Sequence, residues 1–348
     1  MFHEKTLPDK FNERLKLIVG SSLFFEISRT FVERCTTFRI NTIKCKKEEA
    51  IEALNQNGFK IRQMSWYKDA FALLNKSKRE LTDLDIYNDG KIYIQSLASM
   101  IPPLVLDPRP GEKILDLTAA PGSKTSQIAA LMGMQGQLVA NDSNKVRFFK
   151  LKHNMEVLGV ANTPPAPLRE GSLQFPSSEE GEGGVGGWRF SLRMEHGGAL
   201  CREYPEYFDK ILLDAPCSAE ARFIDGEPKT FGYWKEQKIK EMAYKQWGLL
   251  LAAWGALKPG GILVYSTCTF APEENELQIT KFLERISHNP SHYEGEVREG
   301  VSSAEILDID LPGIRRLPIV KSWKNKMINP EVVKKAMRIM PTKEIEGF

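Results

Sequence analysis

The sequence predicts an α/β fold: a doubly wound, mostly parallel sheet joined to a smaller α+β unit. Three observations carry this. From residue 111 onward, strand-length apolar runs alternate with helix-length amphipathic stretches. The short runs are apolar throughout, as strands covered on both faces are. The longer stretches end in glycine or in Lys-Pro-Gly-Gly. At 348 residues, 42% hydrophobic and 27% charged, the chain has the length for two units and the composition of a folded globular protein.

In chain order, FNERLKLIVG and FFEISRTFVERC have helical apolar spacing, TTFRINTIK alternates like a strand, and EEAIEALNQNGF is a helix stopped at Asn57-Gly58. These belong to an N-terminal α+β unit over residues 1–90, and a second unit spans 91–348. KIYIQSLASMIPPLVL is expected as a helix broken at Pro102-Pro103. Strands are expected at 113–118, 136–142, 209–216 and 262–269. Helices are expected at 123–133, at 144–159, through KEQKIKEMAYKQWGLLLAAWGAL and through EENELQITKFLERI. Residues 163–187, rich in Pro, Gly, Ser and Glu, read as a flexible insertion.

The five cysteines are odd in number and form no CxxC pair, which argues against a disulfide framework or a zinc site. No metal is expected. The charged start reads as no signal peptide, and LLLAAWGAL (249–257) is too short to span a bilayer. A cytosolic protein with no membrane association is the expectation. The formal net charge is only +3, but residues 1–90 hold 16 Lys/Arg against 13 Asp/Glu, and residues 313–348 hold nine against three. Both ends are basic, as a solvated surface or as phosphate-gripping faces.

In an open α/β sheet, ligands bind beyond the carboxyl ends of the strands. The first strand–turn–helix there is LDLTAAPGSKT. Its small residues Ala119, Ala120, Gly122 and Ser123 let a ligand approach the backbone closely. Ser123 precedes the lysine where a P-loop requires glycine, and GxGxxG is absent. Asp142, 20 residues after Gly122, ends the second strand, where a carboxylate can hold both ribose hydroxyls. Asp116 ends the first, as a ligand group or as a structural turn cap. Carboxylates repel phosphate and suit a neutral or cationic nucleoside such as S-adenosylmethionine.

Cys217 and Cys268 fall at two strand ends on that same edge, and Asp214 shares the loop of the first. Inert burial is the alternative for any lone cysteine. A thiol beside a methyl donor suits methylation of cytosine C5: addition to C6 makes C5 nucleophilic, and a carboxyl group at N3 stabilises the adduct. Spacing alone does not say which cysteine attacks.

These motifs give the chain a family resemblance. FRINT (38–42), YIQSLAS (93–99), LDLTAAPGSKTSQ (115–127), DAPCS (214–218) and YSTCTFAPEENE (265–276) resemble, in order, the RNA (cytosine-5) methyltransferases that include bacterial 16S rRNA methylases and the NOP2/Sun proteins. The resemblance implies a Rossmann-like class I methyltransferase sheet and methyl transfer from S-adenosylmethionine to cytosine C5 in rRNA or tRNA. It implies that Ala119, Ala120, Pro121, Gly122, Ser123, Lys124 and Thr125 wrap the methionine end of the cofactor and Asp142 holds its ribose. It implies Cys268 as nucleophile, Cys217 as the thiol that assists release, Asp214 facing base and cofactor, and Lys124 near the base. A monomer is expected.

The pattern departs in three places. The family's adenine-contacting Asp-Gly is replaced by His196-Gly197 or Glu195, Ala221 stands where glycine is common, and one apolar strand usual at the end of relatives is not seen. A catalytically impaired RNA-binding or assembly protein is therefore the alternative, and a protein or DNA acceptor a third. Arg39, Lys44, Lys46, Lys47 and the tail's Arg315, Arg316, Lys321, Lys324 and Lys326 are expected to grip phosphates. Trp66, Tyr67, Tyr233 and Trp234 either stack on bases or pack a core.

Overall fold

The computed structural model describes residues 6–161, 187–288 and 303–347. The expected insertion, Gly187 apart, lies outside them.

The chain opens with α1 (Asp9–Val19) and α2 (Ser21–Ser28), which turn on Gly20 at φ +80°. The helix ends at Ser28, well before Cys35. Thr30 hydroxyl donates to Ile27 carbonyl and competes with the next helical bond. There follow β1 (Thr37–Ile40), α3 (Lys47–Gln56), β2 (Ile61–Met64), β3 (Tyr67–Leu73), α4 (Lys78–Thr82), α5 (Asp85–Asn88) and β4 (Ile92–Ile94). The first sheet is antiparallel, in the order β2-β3-β1-β4.

β1 is buried at every position. Phe38 and Ile40 enter a core with Ala50, Leu54, Phe71 and Leu81. Arg39, fully buried on the opposite face, reaches the second unit. Its guanidinium donates to Ser126 Oγ at 2.8 Å and Gln95 Oε1 at 3.3 Å. Gln95 donates to Gln127 Oε1 at 3.0 Å, and Asn41 donates to Leu158 carbonyl at 2.9 Å. This polar seam corrects one expectation: Arg39 grips no phosphate, because β1 is covered on both sides.

Residues 91–106 correct another. They are not one broken helix but β4, a 3-10 turn at Ala98–Met100 and α6 (Ile101–Leu106). Pro102 and Pro103 occupy the first helical turn, where a missing N–H leaves no intrahelical bond unmade, so they start the helix.

The second unit continues through β5 (Lys113–Asp116), α7 (Ser123–Leu131), β6 (Gly136–Asn141), α8 (Lys145–Val157), β7 (Trp188–Arg193), α9 (Gly197–Glu203), β8 (Phe208–Asp214), α10 (Glu236–Ala256), β9 (Leu257–Ser266), α11 (Glu276–His288) and α12 (Pro330–Lys335). The sheet is parallel, in the order β7-β6-β5-β8-β9. Lys258-Pro-Gly-Gly lies inside β9, where the register with β8 shifts, rather than outside it as a helix stop. Gly261 permits this: a Cβ there would sit 2.9 Å from Asp209 carbonyl.

Side chains leave the sheet alternately. Ile114, Leu138 and Leu212 pack one face with Phe148 and Leu151, while Leu115, Val139 and Leu213 pack the other with Leu250 and Phe282. A third core joins α1 and α2 (Phe11, Leu15, Ile27) and Phe31 just beyond them to Phe223 and Phe270 from the loops after β8 and β9, and to Leu317, Trp323 and Met340. Arg338 bolts this layer down. Its guanidinium pairs with buried Glu276 in two bonds, one at 2.6 Å, and donates to Phe270 carbonyl at 2.8 Å. Among the described residues, β9 pairs only with β8. No helix of the described residues is long and apolar enough to cross a membrane.

Candidate active site

The chain runs outward from β5 through β6 to β7, then returns to place β8 on the other side of β5. At such a switch the carboxyl ends of the strands diverge and open a crevice. A cleft of about 970 Å³ lies there. It is lined by Asp116, Ala119–Pro121, Ser123, Lys124, Asp142, Asp214, Cys217 and Cys268. The structure thus brings together the residues expected at the site, except Gly122 and Thr125, which shape it from behind. Gly122 has φ +107°, and a Cβ would meet Met155 Cε at 2.6 Å, so glycine lets the loop lie flat on α8. Thr125 is buried and donates its hydroxyl to Asp116 Oδ2 at 2.7 Å.

One wall is carboxylate-rich. Asp142 accepts from the amides of Ala120 (3.3 Å) and Asn144 (2.9 Å) and pairs with Arg147 at 3.2 Å. Asp116 Oδ1 is buried without a partner, and burial pushes this carboxyl up to about 7. Asn141 holds the backbone of Glu195 by donating to its carbonyl and accepting from its amide. That leaves His196 and Gly197 on the cleft, while the Glu195 carboxylate turns to Arg193. Of the two candidates for the adenine-contacting place, His196 is the one that faces the cleft.

The opposite wall carries the thiols. Cys217 and Cys268 Sγ lie 3.3 Å apart, and the Cys268 amide donates to Cys217 Sγ at 3.3 Å. The hydrogen bond between the sulfurs, with burial, pushes Cys217 up. The same bond, then the charge of Arg222, holds Cys268 below the ordinary thiol range against its burial. Between the walls, Lys124 Nζ donates to Asp214 Oδ2 at 2.7 Å and Ser99 Oγ at 3.0 Å, and Ser266 donates to Asp214 Oδ1 at 3.0 Å.

A buried network locks the two thiol loops together. Glu274 accepts from the Ser218 amide (3.0 Å), the Ser218 hydroxyl and Gln246 (2.8 Å). Burial pushes Glu274 up to about 7. Glu220 accepts from Thr269 hydroxyl (2.8 Å), the Phe270 amide (3.1 Å) and Trp234 Nε1 (2.9 Å). Trp234 and Tyr67 are therefore core residues, while Tyr233 is half exposed. Sequence reasoning missed Ser99, Asn141, Ser266, Arg222 and Glu220. Ser99 and Ser266 sit inside quoted motifs, and nothing local marks the other three. Among the described residues no cluster of His, Cys, Asp or Glu could hold a metal ion.

A profile of the family described as 16S rRNA methyltransferase RsmB/F matches residues 103–304. The chain is 34% identical over 293 residues to ribosomal RNA small subunit methyltransferase F of Pectobacterium atrosepticum, covering 81% of this chain and 54% of that one. It is 32% identical over 305 residues to a tRNA (cytosine(49)-C(5))-methyltransferase of Pyrococcus abyssi, covering 88% and 83%. A solved methyltransferase homolog from Pyrococcus horikoshii superposes with a TM-score of 0.74 at 28% identity, covering 98% and 92%. The chain spans about half the length of the rRNA relatives it matches.

Proposed function

The chain belongs to the 16S rRNA methyltransferase RsmB/F family, and from that premise we propose that it methylates cytosine C5 in RNA through a covalent Cys268–C6 adduct. The observation that carries this is the pair of thiols 3.3 Å apart facing the Asp142 wall across one cleft. Two relatives named as rRNA and tRNA methyltransferases support the substrate class.

S-adenosylmethionine fits the residues present. The walls beside α7 are small, and the buried, unpartnered Asp116 Oδ1 leaves an acceptor on the cleft. Ala119 through Thr125 would form the methionine end of the site, with Gly122 and Thr125 as its backing, and Asp142 would hold the ribose. When bound, the cofactor supplies an electrophilic methyl group.

The chain's own residues do the rest. Cys268 adds to C6, the C5–C6 double bond opens, and the electron pair at C5 takes the methyl group. N3 takes up a proton from solvent as Cys268 adds, and Asp214, held by Lys124 and Ser266, accepts the hydrogen bond from that N3–H. Water then takes the C5 proton, the electron pair left at C5 re-forms the C5–C6 double bond, and the S–C6 bond breaks to return the Cys268 thiolate, with Cys217 assisting release and N3 giving its proton back to solvent. The target base must be unpaired or flipped to reach the thiols.

RNA carrying 5-fluorocytosine, incubated with the protein and S-adenosylmethionine, tests this on a denaturing gel. The fluorine cannot leave as a proton does, so an adduct accumulates, and Cys268→Ala abolishes it. An adduct lost only in Cys217→Ala reverses the thiol roles. No adduct and no cofactor binding by calorimetry would leave an RNA-binding assembly protein.

A further inference from the structure

We propose that Arg222 is a positioning residue that holds the Cys268 sulfur in its anionic, reactive form. The proposal rests on the reading of Cys268 as the attacking group and adds a residue to it.

The geometry begins with the backbone. Glu220–Arg222 forms a 3-10 turn, entered through Ala219 at φ +57°. The Ala221 amide donates to the Cys268 carbonyl at 3.1 Å, and the Arg222 amide closes the turn on Ala219. Glu220, buried inside, ties the same turn to Thr269 and Phe270, the two residues after Cys268. Arg222 is therefore fixed on the strand end that carries the thiol. Its side chain lines the cleft with Cys217, Cys268 and Asp214.

The charge balance favours one task. Lys124, the other cation facing Cys268, is bonded to Asp214 at 2.7 Å. Among the described residues the Arg222 guanidinium makes no hydrogen bond and no close ion pair. Its surroundings are Cys268, Cys217, Asp214, Tyr233 and Glu346, and the sulfur of Cys268 contributes most to holding its proton. The influence is mutual: after the Cys217 hydrogen bond, Arg222 is the largest favourable effect on the Cys268 thiolate. Burial opposes that anion, so a guanidinium carried on the same strand end keeps the thiol reactive near neutral pH.

The test is alkylation of the full chain with iodoacetamide from pH 5.5 to 9.5, with Cys268 followed at the peptide level by mass spectrometry. In Arg222→Met the midpoint should rise by about one pH unit, slowing modification below it by up to about tenfold. Arg222→Lys keeps the charge and should restore most of the difference. Arg222→Gln serves as a second neutral variant, and thermal unfolding shows that each is folded. Midpoints that superimpose in wild type and both neutral variants would overturn the proposal. If the midpoint moves while the fluorocytosine adduct maps to Cys217, Arg222 acts as proposed and the nucleophile assignment alone falls.

Discussion

Asp116→Asn should change how stability depends on pH. Asp116 is buried, keeps one oxygen unpartnered, and has its carboxyl raised from 3.8 to about 7. A carboxyl that binds its proton more tightly folded than unfolded stabilises the fold fully below pH 3.8. That contribution is lost as pH rises towards about 7 and stays lost above it. The rise of about three units corresponds to up to about 4 kcal/mol. Asparagine has the same size, still accepts from Thr125, and does not ionise. Its buried amide lacks a partner at the orphaned position, which costs about 1–3 kcal/mol at every pH. The variant should therefore be less stable than wild type near pH 4.5 and more stable, by about 1–3 kcal/mol, near pH 8.5. Urea unfolding followed by tryptophan fluorescence at four pH values measures both curves. A constant difference between the two proteins across the range would refute the reasoning, because no ionisation at Asp116 would then be linked to folding.

Arg338→Met should lower stability by about 3–5 kcal/mol in denaturant titrations, since it strands the buried Glu276 carboxylate. Arg338→Met with Glu276→Leu should lose much less, because no charge is left unpaired. Gly122→Ala must adopt φ +107° and displace Met155, so thermal unfolding should report a loss of about 1–3 kcal/mol. Asp142→Asn should weaken S-adenosylmethionine binding about ten- to a hundredfold by calorimetry, because it removes a charged acceptor held by two amides and Arg147.

The parallel sheet was legible because its strands are apolar on both faces, so runs such as Lys113–Asp116 and Phe208–Asp214 stand out without an alignment. The thiols were legible for a related reason: Cys217 and Cys268 each follow such a run, and in a parallel sheet all strand ends meet on one edge. Short-range patterns failed where tertiary burial overrode them. Arg39 in an alternating strand reads as a surface cation until a second unit covers its face. Pro102 and Pro103 read as breakers because no local signal said that the helix begins beside them. Glu220 and Arg222 were invisible because the partners that tie them to the Cys268 loop lie 46 to 50 positions away on another strand end. Ionisable networks of that kind follow from topology, not from spacing.

The seam of Arg39, Asn41, Gln95, Ser126 and Gln127 has a consequence for how the substrate of the proposed function would be received. Buried hydrogen bonds join the first sheet to α7 and to the end of α8, so separating the two units would expose a guanidinium and several amides stripped of water. The molecule should therefore melt as one cooperative body, with no hinge between a gripping arm and a catalytic body. A rigid receiver transfers the work of adaptation to its guest. Under the proposed function, the RNA strand would have to unstack and bend its own backbone to bring a base to the thiols, and sites already loose in the folded RNA would be chosen on mechanical grounds as much as on sequence.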